Sequence, residues 1–218
     1  IRTIWSKILG FQRGDGISLK EKRQLRGIKA NQLSLKSGKL CKKRGESFSG
    51  ERERKPFHFA KGNLKLSKNI LIWNLPAIST CIGSSPECRK FCYALKAQRS
   101  YPTCLPSRKR NLEFSKTKSF VPKVVKFLRR QKETICRLHE SGDFWCTGYL
   151  DKWCEIARQL PEKTFYAFTK SYFLENFWKK IPDNLKIIQS VESRFPEKID
   201  WNRSTARVIL EESEREPN

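Results

Sequence analysis

Hydrophobic and polar positions change rhythm once along this chain. From about residue 57 onward, short apolar runs alternate with segments of three- and four-residue period. Before that point, scattered leucines keep no period. The run "NILIWNLP" is short, apolar and halted by Pro76, which predicts a buried strand. "TICRLHE" predicts a second strand, broken by "SGD". In "TGYLDKWCEIARQLP", Leu150, Trp153, Cys154, Ala157 and Leu160 recur at helical spacing and make one apolar face, ended by Pro161. "TFYAFTKS" reads as a strand, "YFLENFWKKIPD" as a helix, "NLKIIQSV" as a strand and "ARVIL" as one more. Upstream, "PSRKRNLEFSKTKSF" and "VPKVVKFLRRQKE" read as basic helices, with Pro122 in a first turn where proline is tolerated. Strands and helices that alternate over short connections predict an α/β fold with right-handed crossovers. The expectation is an open parallel sheet or a partial (β/α) barrel, since about 160 residues fall short of the roughly 250 of a full barrel.

Charge divides the chain differently. The net +24 is carried as +11 by residues 1–56, +14 by 57–130 and −1 by 131–218. "KSGKLCKKRGESFSGERERKP" cannot bury enough apolar surface to offset its ordering entropy. Residues 1–56 are therefore expected to be a basic, disordered tail ahead of an α/β domain at 57–218. So basic a half suggests nucleic acid or another polyanion as partner, against the plainer reading of a solvated basic face. No apolar run approaches the roughly 20 residues of a membrane span, so no membrane partner is expected. The sequence starts at Ile1 and holds no methionine, so the natural start is expected to lie upstream, and the opening residues are too mixed for a signal-peptide core. Of eight cysteines, Cys136 and Cys154 sit in apolar segments as buried free thiols do, which points to a reducing, cytoplasmic setting.

Parallel sheets collect their ligand sites at the carboxyl ends of the strands. Here those ends are polar each time. The first predicted strand runs into "TCIGSSPECRKFCYA", with Cys81, Cys88 and Cys92 at gaps of six and three. The second ends at His139, Ser141, Gly142 and Asp143, the third at Thr169 and Lys170, the fourth at Gln189 and Ser190. Three thiolates suit a [4Fe–4S] cluster with one open iron. A structural zinc needs a fourth ligand, for which Cys104 or His139 are candidates, and usually uses paired knuckles absent here. A disulfide would strand one of the three. Asp143 is placed to hold an amine or hydroxyl of a cofactor, with Ser141, Gly142, Thr169 and Ser190 lining the same mouth. His139 is a candidate acid, base or ligand, and Lys170 a candidate for a phosphate or carboxylate; each has a structural alternative. His58 and the aromatics Trp73, Trp145, Trp153, Phe165, Tyr166 and Phe168 read as structural. Phosphate-loop, dinucleotide-fingerprint and nucleophile-elbow motifs are absent.

Together "WNLPAISTCIGSSPECRKFCYALKAQRSYP", "RLHESGDFWCTGYLDKWCEIARQLP", "FYAFTKS" and "NLKIIQS" resemble the gene product 88 family of bacteriophage and plasmid proteins. The resemblance spans roughly residues 60–195 and leaves the tail before residue 56 outside. More remotely, the layout is similar to the radical S-adenosylmethionine superfamily. Its members carry three cluster cysteines in a loop after the first strand of a partial barrel. They often have an aromatic before the third cysteine, as Phe91 stands before Cys92, and a Gly-Gly-Glu-like motif where this chain has Ser141, Gly142 and Asp143. That resemblance implies a [4Fe–4S] cluster on Cys81, Cys88 and Cys92, and S-adenosylmethionine at its open iron with Gly142 and Asp143 at the amino-acid end. The chain departs from the superfamily in its cysteine gaps, which are usually three and two, in an Asp for the Glu, and in a short barrel. The expected function is an iron–sulfur protein acting on a phosphate-bearing substrate. The alternative is a non-enzymatic nucleic-acid-binding protein of a mobile element with a structural zinc site.

Overall fold

A computed structural model describes residues 55–62 and 66–208. The expected basic tail, Lys55 and Pro56 apart, lies outside the described residues. All described residues belong to the compact unit Arg52–Asn218.

Six strands form one sheet in chain order, β1 (Phe59–Lys61), β2 (Ile70–Trp73), β3 (Ile135–Leu138), β4 (Thr164–Thr169), β5 (Leu185–Ser190) and β6 (Thr205–Ala206). Strands β2 to β6 are parallel, and β1 joins the edge antiparallel to β2. That edge strand was not expected, because three residues are too few to display a period of two. The sheet is therefore mixed and mostly parallel. Consecutive order with crossovers of one hand winds the helices onto a single face. The register agrees. Leu71, Cys136, Phe165 and Leu185 lie in one row across the sheet, and Trp73, Leu138, Ala167 and Ile187 in the next. Both rows belong to the main core.

Helices α1 (Pro86–Lys90), α2 (Tyr93–Ser100), α3 (Cys104–Lys116) and α4 (Phe120–Arg129) fill the connection from β2 to β3; α5 (Thr147–Arg158) joins β3 to β4, and α6 (Phe177–Lys180) joins β4 to β5. Amphipathic sequence explains the two helices that anchor the core. Helix α4 buries Phe120, Val121, Val124, Val125 and Leu128 and leaves its lysines and arginines outward. Helix α5 buries Tyr149, Leu150, Trp153, Cys154, Ile156 and Ala157. Between them Trp73, Phe120 and Trp153 meet edge to face, and the Trp73 indole Nε1 donates to the Tyr149 hydroxyl at 2.9 Å. The predicted helix "YFLENFWKKIPD" shrinks to four residues: Asn176 takes a left-handed φ of 54° just before it, and Pro182 follows closely. The predicted strand at "ARVIL" begins earlier, at Thr205, and residues beyond 208 lie outside the described ones.

The opposite sheet face carries another row, Ile72, Arg137, Tyr166 and Lys186. Tyr166 and Phe168, expected as ordinary core, belong to this face.

Candidate functional site

The chain leaving β2 is fastened first to the end of β3. Leu75 N–H donates to Ser141 O at 2.9 Å, Ser141 Oγ donates to Leu75 O at 2.8 Å, and Ser141 N–H donates to the Asn74 side-chain oxygen at 2.9 Å. Gly142 completes this seam. It has φ of +84°, and a Cβ there would stand 2.6 Å from both Leu75 Cβ and Thr80 Oγ1. Glycine is needed for the conformation and for the approach of the neighbouring chain. Next, Ile78 sits at φ +67°, an uncommon conformation for a β-branched residue, and Cys81 N–H turns back onto Ile78 O at 3.0 Å. Thr80 Oγ1 donates to Pro76 O at 2.7 Å.

The cysteine segment, expected as a loop, is largely helical and is tied to two more strand ends. Gly83 packs so closely on the turn after β4 that a Cβ would fall 2.1 Å from Lys170 O. Arg194 N–H donates to Gly83 O at 2.9 Å, and Ser84 bridges to Ser193 after β5. Ser85 caps α1 by accepting from Cys88 N–H at 3.2 Å. Cys92 caps α2 with its sulfur, which accepts from Leu95 N–H at 3.4 Å.

These ties gather the three thiols. Burial, and then the Asp143 carboxylate, push Cys81 up to about 12, with Cys88 and Cys92 adding to the rise. Burial also raises Cys88; Lys170 pulls it back down, while Cys92 and Glu192 push it up. The three sulfurs therefore lie within electrostatic reach of one another and of the polar groups that end β3, β4 and β5. Each is half-buried and none is in a disulfide. Among the described residues, no three His, Cys, Asp or Glu side chains converge tightly enough to hold a single metal ion.

Asp143 is buried and its carboxylate is heavily used. It accepts from Thr169 Oγ1, from Phe144 N–H at 2.7 Å and from Lys170 N–H at 2.9 Å. Its pKa is nonetheless raised, because desolvation outweighs those bonds. Three of roughly four acceptor positions of a carboxylate are thus filled. Asp143 clasps the turn after β3 to the turn after β4, and Thr169, which also accepts from Ser171 N–H at 2.9 Å, belongs to the same clasp. Ser141 and Gly142 are engaged with Leu75 and Thr80.

His139 is placed elsewhere. Its ring lies in the core beside Phe144 and Tyr149, and burial drops its pKa to about 3. Tyr149 Oη accepts from Trp73 and meets His139 Nε2 at 3.0 Å. Donation from the hydroxyl to Nε2 leaves the fewest orphaned groups, which assigns the ring proton to Nδ1. That Nδ1 has no partner. Gln189 spends both side-chain atoms on Asp200, donating to its O at 2.7 Å and accepting from its N–H at 2.9 Å. Ser190 is half-buried and pairs with Ala206 at the sheet edge. Cys104 opens α3 and is not among the groups that shift Cys81 or Cys88. His58 is bound through its backbone to Asn111.

Several residues of the site carry no signal in the sequence. Asn74 meets Ser141, Gly83 meets Lys170 and Glu192 acts on Cys88 only through the pairing of turns far apart in the chain. Arg137 stands inside a strand, on the face away from the helices, with its guanidinium 5.6 Å from the Phe168 ring centroid and its Nε unpartnered. Tyr93 is influenced by both Cys92 and Arg137, and so joins the two features.

A family model described as gene product 88 matches residues 18–218. The match reaches back well before residue 56, so most of the segment expected to lie outside the resemblance falls within it. No curated protein and no solved structure matches the chain. Among the described residues no helix is long and apolar enough to cross a membrane.

Proposed function

We propose that this chain, which belongs to the gene product 88 family, is an iron–sulfur protein whose Cys81, Cys88 and Cys92 hold a [4Fe–4S] cluster at the carboxyl end of the sheet. The observation that carries the reading is the mutual influence of the three thiols beside Asp143 and Lys170. The number of donors favours a cluster over one ion, since a closed structural zinc site takes four ligands and three thiolates leave it one short. A cubane lets each thiolate take a different iron and leaves the fourth iron open.

When bound, such a cluster supplies a one-electron donor with an open iron, the position at which S-adenosylmethionine binds in the superfamily the layout resembles. The chain's own residues have separable tasks. Cys92 presents its sulfur to the Leu95 N–H at the start of α2, which fixes where that ligand stands. Lys170 offsets negative charge at Cys88 and is the candidate contact for an anionic group of the substrate. Asp143 holds the two turns together and places a carboxylate near Cys81; its one remaining acceptor position is where an amine would bind. His139 keeps the end of β3 packed against α5 and stays neutral.

Anaerobic reconstitution with iron and sulfide tests the reading. The expected result is about four irons and four acid-labile sulfides per chain, abolished by serine at all three cysteines. Stoichiometric zinc without sulfide would overturn it in favour of the structural-zinc alternative.

A further inference from the structure

We infer that the outer surface of α1 and α2 binds single-stranded nucleic acid, with Phe91, Tyr93 and Tyr101 as stacking platforms and Arg89, Lys90, Lys96 and Arg99 on its phosphates. Among the described residues, five large hydrophobic side chains stand exposed, and three fall in this one segment: Phe91 at 58%, Tyr93 at 62% and Tyr101 at 64%. Exposed apolar side chains scattered singly need no explanation, but three gathered in one eleven-residue segment do. The four cations are exposed and interleaved with them, and Glu87 is the only acidic residue between Pro86 and Pro102.

The aromatics are also held. Tyr93 Oη donates to Glu140 O at 2.7 Å, which fixes its ring at the rim beside Cys92. Lys90 Nζ lies 5.4 Å from the Phe91 centroid, so a cation is already poised beside that platform. Every base has a π-face, but only an unpaired base can offer it to a side chain. A duplex would meet the cations alone. An acidic protein would also satisfy the charge, yet it gives no reason for three exposed rings between the cations.

The inference deepens the proposed function by naming its phosphate-bearing partner, but it does not need the cluster. The test therefore uses the full chain both without metal and after reconstitution, and reads fluorescence anisotropy of labelled oligothymidine, oligouridine and a duplex of equal length. Single strands are expected to bind more tightly than the duplex. Affinity should fall with salt by a log–log slope of about 0.7 per neutralised phosphate. Phe91→Ala and Tyr101→Ala should each weaken binding about 5- to 100-fold while leaving that slope unchanged. Arg99→Gln should lower the slope. Tyr93→Phe keeps the ring and is expected to retain most of the affinity, which separates stacking from the hydroxyl. Thermal melts of each variant establish that it is folded. Equal binding of duplex and single strand, unchanged affinity in both alanine variants, or equal competition by polyglutamate would overturn the inference. Loss of iron and sulfide with these binding results intact would reject the cluster and leave the surface standing.

Discussion

A methyl group added at Gly142 has nowhere to go. It would meet Leu75 Cβ and Thr80 Oγ1 at 2.6 Å, in a backbone conformation that side chains rarely adopt. Gly142→Ala is expected to cost about 2–4 kcal/mol, from strain and overpacking together. Urea unfolding of the variant measures it, and a loss below 1 kcal/mol would show that the seam can relax. His139 offers a pH-dependent counterpart. Its folded pKa is lowered from 6.5 to about 3, so below pH 6.5 the unfolded chain takes up a proton that the fold refuses. Its contribution to stability is complete above pH 6.5 and is lost as pH falls through that window, by about 2 kcal/mol at pH 5. Asparagine tolerates the left-handed φ of 64° found at His139 and does not titrate. His139→Asn should therefore lose less stability than the parent between pH 7 and pH 5. An equal loss in both proteins would assign the acid sensitivity to other groups. At Cys81, a thiol held near 12 must give up its proton to bind metal, so apparent iron affinity should rise with pH. Asp143→Asn removes a charge that holds the thiol up, and should speed alkylation of Cys81 at a given pH.

At the scale of elements, the cysteine segment depends on its fastenings more than on helix propensity. Helix α1 has five residues and buries none of them. Ser85→Ala removes its cap and is expected to cost about 1 kcal/mol in unfolding free energy. It should also loosen Cys88, read as faster hydrogen exchange at its amide. The clasp between the turns after β3 and β4 predicts more. Thr169→Val keeps the shape but strips a donor from a buried carboxylate, for about 1–3 kcal/mol. The helical spacing in α5 could be read directly from Leu150, Trp153, Cys154 and Ala157, and the strands β2 to β5 from apolar runs such as "NILIWNLP" and "TFYAFTKS". Strand β1 and helix α2 could not. Phe59 to Lys61 is too brief to show alternation, and α2 begins at Tyr93 because the Cys92 sulfur caps it, a role not expected of a cysteine.

For the whole molecule, the core centred on Trp73, Tyr149, Trp153 and Phe165 contains none of the three clustered sulfurs. The metal-free protein should therefore fold, unlike a zinc finger, and loading should raise its melting temperature without creating the fold. Calorimetry of both forms checks this; an unfolded metal-free chain would mean that the site is structural. The charge asymmetry adds the long-range part, since α1 to α4 are basic and follow β2 directly.

Two kinds of information were needed. Period, run length and proline stops are local properties, so the alternation of strands and helices, and the polar ends of the strands, followed from neighbouring residues alone. Which of those polar residues share a site is a matter of register and crossover, set by contacts between turns far apart in the chain. Only the folded chain brings Cys81 to Asp143 and Cys88 to Lys170 and Glu192. The same packing turns His139, near the same strand end, toward Tyr149 in the core, and commits the Gln189 side chain to Asp200.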